Sequence, residues 1–346
     1  VSGCEAGNNK TKTTCTVGDN IYTVGDKFTA TDGCNSCSKG YKGRIGIYEV
    51  VRNWPKYPEG TKLGNLHGDM AADSKGRVYI ATGGTIQVIS ADGVYQGELR
   101  AKNGNKAFTG VHGMKVRRIG DEETLLIAMP GVKRIVNVSF EGTVVWQIIG
   151  PPKVDGMYGN ISQYNPTDVD VAPDGTVYIV DGYGKSLVHV YDKERKYLKT
   201  FGGKGKEDGK FNICHNILID NRTDKPTLLI SDRQNNRLQL HDMDGNFIRT
   251  IDSKLGRPCA ADIYGELLAV GELDGRVSLY DKDNKLISRL GDEPKNRKKA
   301  GNRIGPPDWH EGALIAVHGC TFDAKGDLYA QEWNVHGRVI KYTRVK

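Results

Sequence analysis

The chain has 346 residues, with 49 lysines and arginines against 42 aspartates and glutamates, 44 glycines, and 16 tyrosines to 7 phenylalanines. No apolar run reaches the roughly 20 residues of a membrane helix. Most basic residues are interleaved with acidic ones, as in Asp192-Lys193-Glu194-Arg195-Lys196, so the net charge of +7 does not read as a nucleic-acid surface. The basic cluster from Lys295 to Arg303 sits in a Gly/Pro-rich insertion without aromatics and reads as a solvated loop.

The first 42 residues stand apart. Cys4, Cys15, Cys34 and Cys37 crowd a Gly/Thr/Asn-rich segment, which suits a small disulfide framework and an oxidising compartment. The spacing around the single Cys-x-x-Cys fits a structural zinc ribbon poorly. Sequons at Asn9, Asn137, Asn160 and Asn221 agree with a secreted glycoprotein. Val1 is not a natural start, so a processed or trimmed chain is expected.

Residues 43–346 read as one repeat. A copy is clearest at Pro166-Thr-Asp-Val-Asp-Val-Ala-Pro-Asp174-Gly175-Thr-Val-Tyr-Ile-Val-Asp181, followed by Leu187-Val-His-Val-Tyr191 and Tyr197-Leu-Lys-Thr-Phe201. Four alternating runs with a turn signal after each describe a four-stranded antiparallel meander. Copies start at His67, His112, Asp168, His215, Cys259 and His318. That period predicts an all-β, six-bladed β-propeller. The last copy runs out after its third strand, and the segment Arg44 to Arg52 is expected to supply the fourth and close the ring.

In such a blade the inner strand starts at one face, and the loop after the second strand returns to that face. The strand starts therefore share a channel mouth with Thr82–Gly84, Pro130-Gly131, Asp181–Tyr183, Asp232–Gln234, Glu272–Asp274 and Glu332–Asn334. Only eight histidines exist, and His112, His215 and His318 hold the same repeat position in alternate blades, 103 residues apart each time. Three neutral imidazoles with an open fourth position are what catalytic zinc requires, and the same set suits copper or iron. The plainer alternative is that each histidine bonds across its own blade interface. His67 breaks the alternate-blade pattern; it reads either as an acid/base group or as packing near the mouth. Asp168 and Glu332, acidic members of the two mouth sets, are expected to bind substrate. His189, His241, His310 and His336 fall on outer strands or loops and read as structural or solvated.

At these residues the chain resembles the lyase domain of peptidylglycine α-amidating enzymes, a propeller with NHL-type repeats. The resemblance is carried by Pro166-Thr-Asp-Val169, Asp181-Gly-Tyr183, His215 and Asp232-Arg233-Gln-Asn-Asn-Arg237, and more weakly through Phe108 to Ile127 and Val317 to Tyr342. It implies a zinc enzyme that cleaves a peptidyl-α-hydroxyglycine to a peptide amide and glyoxylate. It further implies His112, His215 and His318 as zinc ligands, Tyr183 as the tyrosine near the metal, and Arg233 as an arginine that steadies substrate charge. Without it, Tyr183 reads as a blade-packing aromatic and Arg233 as a structural partner of Asp232. The chain departs from the family in three places. An arginine after the second strand of blade one is replaced by Ala81-Thr82-Gly83-Gly84. The aspartate that follows the third histidine and serves calcium is Gly319. The family's paired cysteines are unmatched, with Gly184 after Tyr183.

Two functions are therefore carried forward. One is a secreted metal-dependent lyase acting on a hydroxylated small or peptidic substrate. The other is a non-catalytic secreted propeller that binds a metal or ligand. Either is expected to be monomeric, with no nucleic-acid or membrane partner. Cys214 and Cys259 start adjacent inner strands and are expected to form a disulfide, leaving Cys320 as the odd thiol.

Overall fold

The computed structural model describes residues 14–17, 20–23, 47–61, 63–104, 107–119, 122–292 and 299–345. Cys4, Cys34, Cys37, the Asn9 sequon and part of the basic insertion lie outside the described residues. The chain divides into two compact units, 1–48 with Lys346 and 49–345. In the first, Thr14–Val17 pairs antiparallel with Asn20–Thr23.

The second unit is a six-bladed β-propeller of four-stranded sheets. Blade one consists of Met70–Ala72, Val78–Ala81, Ile86–Ile89 and Tyr95–Leu99. Blade two runs through Met114–Ile119, Glu122–Met129, Arg134–Val138 and Val144–Ile149. Blade three follows with Asp168–Val171, Val177–Asp181, Leu187–Tyr191 and Tyr197–Gly202. Blade four takes Cys214–Asp220, Thr227–Asp232, Arg237–His241 and Phe247–Asp252. Blade five takes Pro258–Tyr264, Leu267–Glu272, Arg276–Tyr280 and Leu286–Leu290. Blade six takes Val317–Phe322, Leu328–Glu332 and Val339–Val345, and its fourth strand is Ile47–Val51, as the truncated last repeat predicts.

The turns repeat as the strands do. Between the first two strands of blades one, three and six, a glycine sits at φ of 80°, 90° and 83° (Gly76, Gly175, Gly326), where a side chain would be strained. In blade one the Asp73 carboxylate accepts from the amides of Lys75 and Arg77, fixing the hairpin.

Apolar side chains fill the wedges between neighbouring blades. Tyr79, Ile86, Leu125, Ile127 and Val136 pack blade one on blade two, and Val180, Val188, Ile217 and Ile230 pack three on four. Each fully buried aliphatic side chain contributes roughly 1.5–3 kcal/mol. The ring of wedges holds the six inner strands in fixed register around the axis, which is what makes a precise site possible at its mouth. No helix among the described residues is long and apolar enough to cross a membrane.

The expected Cys214–Cys259 disulfide does not form; Cys214, Cys259 and Cys320 are buried free thiols. The Cys214 sulfur packs in the wedge between blades three and four and faces the Leu187 carbonyl at 3.7 Å. Cys259 lies in the wedge between blades five and six and faces the Arg257 carbonyl at 3.5 Å. Adjacent inner strands bring the two residues near, but their side chains enter different wedges. The Asn137 sequon is also corrected as a glycan acceptor: the residue is 1% exposed, and its amide donates to the Thr124 hydroxyl at 2.6 Å.

Candidate functional site

His112, His215 and His318 begin the inner strands of blades two, four and six, and each is at most 3% exposed. Their ring centroids stand 4.7, 4.8 and 4.8 Å apart, a nearly equilateral triangle about the axis. Each Nδ1 meets a backbone carbonyl on the next blade: Thr167 at 2.7 Å, Cys259 at 2.7 Å and Gly68 at 2.9 Å. A carbonyl only accepts, so each Nδ1 carries the proton and each Nε2 keeps a lone pair. The two sequence readings thus hold together, with one nitrogen bonding across the blade interface and the other free for chemistry.

Those lone pairs are under-satisfied. The Tyr183 hydroxyl lies 2.9 Å from the Nε2 of His112 and 3.1 Å from that of His215, but it has one proton to give. The Nε2 of His318 is buried with no partner. Burial pushes His112 down to about 3, helped by His67, and drives His215 and His318 well below the ordinary imidazole range. All three are therefore neutral near pH 7, the form that ligates a metal. Orphaned lone pairs on neutral imidazoles in a carbonyl-oriented ring fit a transition metal such as zinc.

His67 joins from blade one, exposed at the mouth, with centroids 4.9 Å from His318, 5.5 Å from His112 and 5.9 Å from Trp333. Ligating nitrogens of His67, His112 and His318 all lie within 4.8 Å of one another. The geometry therefore offers two overlapping triads that share His112 and His318. Symmetry of blade position favours His215 as the third member, while nitrogen proximity favours His67. Although one side of the ring is exposed, the protein packed around the rest of it, and then the Arg233 charge, lower His67 as well.

Tyr183 is held by its amide on the Asn165 carbonyl. Arg233 opens a single 3₁₀ turn after the second strand of blade four, places its carbon 5.3 Å over the Tyr183 ring, and donates to the Tyr183 hydroxyl at 3.2 Å. Asp232 pairs instead with Arg237 at 2.7 Å, which leaves the Arg233 guanidinium to the mouth; its buried Nε has no partner. Burial pushes the Tyr183 hydroxyl up to about 12, opposed by Arg233.

Asp168 lies one layer below the imidazoles rather than at the rim. Its Oδ2 accepts from Lys115, from the Asn216 amide at 2.7 Å and from the Ile217 N–H at 3.0 Å, while Oδ1 has no partner. Glu332 is occupied within blade six: one oxygen takes the Ile315 N–H, and the other takes Arg338 at 3.0 Å. His189 and His241 are fixed by Tyr158, Thr200 and the Gly245 carbonyl, in keeping with structural roles.

Sequence reasoning missed Asp69 and Lys115. A Cβ on Gly319 would fall 2.6 Å from Asp69 Oδ1, so a carboxylate from the neighbouring blade fills the space that an aspartate at position 319 would use. The orphaned Asp168 Oδ1 and Asn216 Oδ1 stand near it, an all-oxygen set of the kind calcium takes. The available signal was the recurrence of aspartate near the first-strand start of odd blades, at positions 69 and 168.

No family model matches the chain. NHL repeat-containing protein 3 from Homo sapiens is 30% identical over 213 residues, and its Mus musculus counterpart is 31% identical over 213; each match covers 57% of this chain and 57% of the relative. Repeat, fold and relatives agree. This chain is a six-bladed propeller similar to NHL repeat-containing proteins. It spans little more than half the length of those relatives. Among solved structures the propeller is similar to a streptogramin B lyase (TM-score 0.56, 12% identity, covering 89% of this chain and 100% of that one). A Xanthomonas campestris gluconolactonase superimposes with TM-score 0.58 at 13% identity, covering 87% and 91%. A virginiamycin B lyase from Staphylococcus aureus gives 0.52 at 13%, covering 83% and 97%. At such identities this propeller shares a fold with these proteins, and its chemistry rests on its own residues.

Proposed function

We propose that this propeller is an exported, metal-dependent lyase of the amidating-lyase type, acting on a hydroxylated small or peptidic substrate at the histidine mouth. The observation that carries the reading is the set of three buried imidazoles, each donating Nδ1–H to the next blade and keeping an Nε2 lone pair, with ring centroids 4.7 to 4.8 Å apart, beside Tyr183 and Arg233.

In the reaction, the C–N bond to a hydroxylated carbon breaks, the hydroxyl proton leaves, the amide nitrogen gains a proton, and a carbonyl product forms. His112, His215 and His318 would hold the metal, with His67 able to replace His215. Zinc there would supply a Lewis acid that favours loss of the hydroxyl proton. Tyr183 is the group placed to move a proton, its hydroxyl being in contact with two imidazoles and a guanidinium. Arg233 binds a substrate carboxylate, since no acidic residue among the described residues pairs with it. Calcium, where present, would take the oxygens of Asp69, Asp168 and Asn216. Export is supported by the exposed sequons at Asn160 and Asn221.

A second reading, a propeller that binds without turnover, draws on the glycines at 83 and 84, where the family's substrate arginine is missing. Metal analysis of the purified protein, with turnover of α-hydroxyglycine peptides, tests both. The lyase reading expects about one transition metal per chain and glyoxylate release. Metal without turnover favours the binding protein, and absence of both removes the site.

A further inference from the structure

Below the histidines the channel widens into a second cavity of about 320 Å³, between the inner strands of blades one, two, five and six. Ser74 and Ala324 line it and belong to hairpins joining first and second strands, so it opens on the face opposite the histidine mouth. Its volume falls in the range of roughly 300–1,000 Å³ typical of small-molecule sites.

The charges around it do not balance. Lys115 is neutralised from behind by Asp168, and Arg117 by two bonds to Asp170 at 2.7 and 2.9 Å. Asp69, Glu123 and Asp262 line the cavity and make no ion pair among the described residues. Asp262 accepts from the Thr321 hydroxyl at 2.9 Å and the Phe322 N–H at 2.8 Å, and Glu123 from the Ser74 hydroxyl at 2.6 Å. Asp69 is 6% exposed; one oxygen accepts from the Met70 N–H, and the other has no partner and faces the cavity. The Lys115 charge acts on this carboxylate across the cavity but is bonded to Asp168, so a further cation beside Asp69 would offset the cost of its burial. The remaining wall is apolar, with the Tyr264 and Phe322 rings 5.9 Å apart beside Val116 and Ile263.

We propose that this cavity is a second ligand site, taking a small organic cation: an ammonium on a short alkyl chain, such as a di- or polyamine. The ammonium meets Asp69 and Asp262, the chain lies along Tyr264 and Phe322, and a second ammonium reaches Glu123 at the rim. Size decides against a bare metal ion, which would leave most of the volume and the apolar wall unused. The net charge of +7 repels a polycation from the protein as a whole, so saturable binding isolates the local site.

The test is calorimetric titration of the full chain with spermidine at physiological salt and without added calcium, because Asp69 borders both the cavity and the deeper oxygens. One equivalent is expected, with affinity reduced about tenfold or more, some 1.4 kcal/mol, in both Asp262→Asn and Glu123→Gln. Binding in His215→Ala should match the parent, which separates this site from the histidine mouth. If Asp262→Asn does not fold, as judged by its melting curve, the rim variant Glu123→Gln carries the decision alone. Absence of saturable binding overturns the proposal. So does affinity unchanged in the folded variants.

Discussion

At the scale of single residues, the overlap of the two histidine triads makes a sharp prediction. If His215 is the third ligand, His215→Ala should lose most of the bound metal by elemental analysis while His67→Ala keeps it; the reverse pattern assigns His67. Tyr183→Phe should retain the metal yet lower turnover by about 10²–10⁴-fold, the usual weight of a positioned proton-transfer group. Equal turnover would take Tyr183 out of the mechanism. His189 offers a pH test away from the site. Burial lowers it to about 4, so on acidification the unfolded chain takes up a proton from about pH 6.5 while the folded chain does not. Stability from this group is complete above pH 6.5 and falls between there and pH 4. Urea unfolding of the parent should therefore steepen in its pH dependence relative to His189→Gln, by about 1.4 kcal/mol per pH unit within that window. The histidines were legible in the sequence because they are rare and share one repeat position. Asp69 and Lys115 were not, because what matters about them is a side chain crossing into a neighbour's space, opposite Gly319 and against Asp168.

At the scale of elements, each blade was legible because its strands alternate and its turns carry Asp, Asn and Gly at fixed offsets. Side-chain direction within a wedge was not, and this is why the cysteine bridge failed: strand adjacency fixes where backbones run, not which interface a sulfur enters. The same limit applies to the sequons. Asn137 fits the motif yet lies mid-strand with its amide bonded inward, whereas Asn160 and Asn221 sit on exposed connections. In a secretory host, peptide mapping should find glycan at Asn160 or Asn221 and none at Asn137. A glycan on Asn137 would mean that the strand Arg134–Val138 is attached to carbohydrate before blade two folds.

For the whole molecule, closure of the ring depends on the strand Ile47–Val51 as the outer member of blade six. A chain shortened to begin at Arg52 should melt at lower temperature and associate, since Val339–Val345 is then left as an open edge. Unchanged melting and a monomeric elution profile would show that closure is not needed. The imidazole-to-carbonyl bonds bear on the ring in another way. Each runs from an even blade to the main chain of the odd blade after it. At the equivalent positions of the odd blades, the side chains of His67 and Cys259 take no part in those bonds, whereas Asp168 ties Lys115 of blade two to Asn216 and Ile217 of blade four. A lineage could exchange His67 and Cys259 for others, retuning what the mouth accepts, without breaking the imidazole-to-carbonyl bonds beside them; the repeat thus separates a fixed set of positions from an evolvable one.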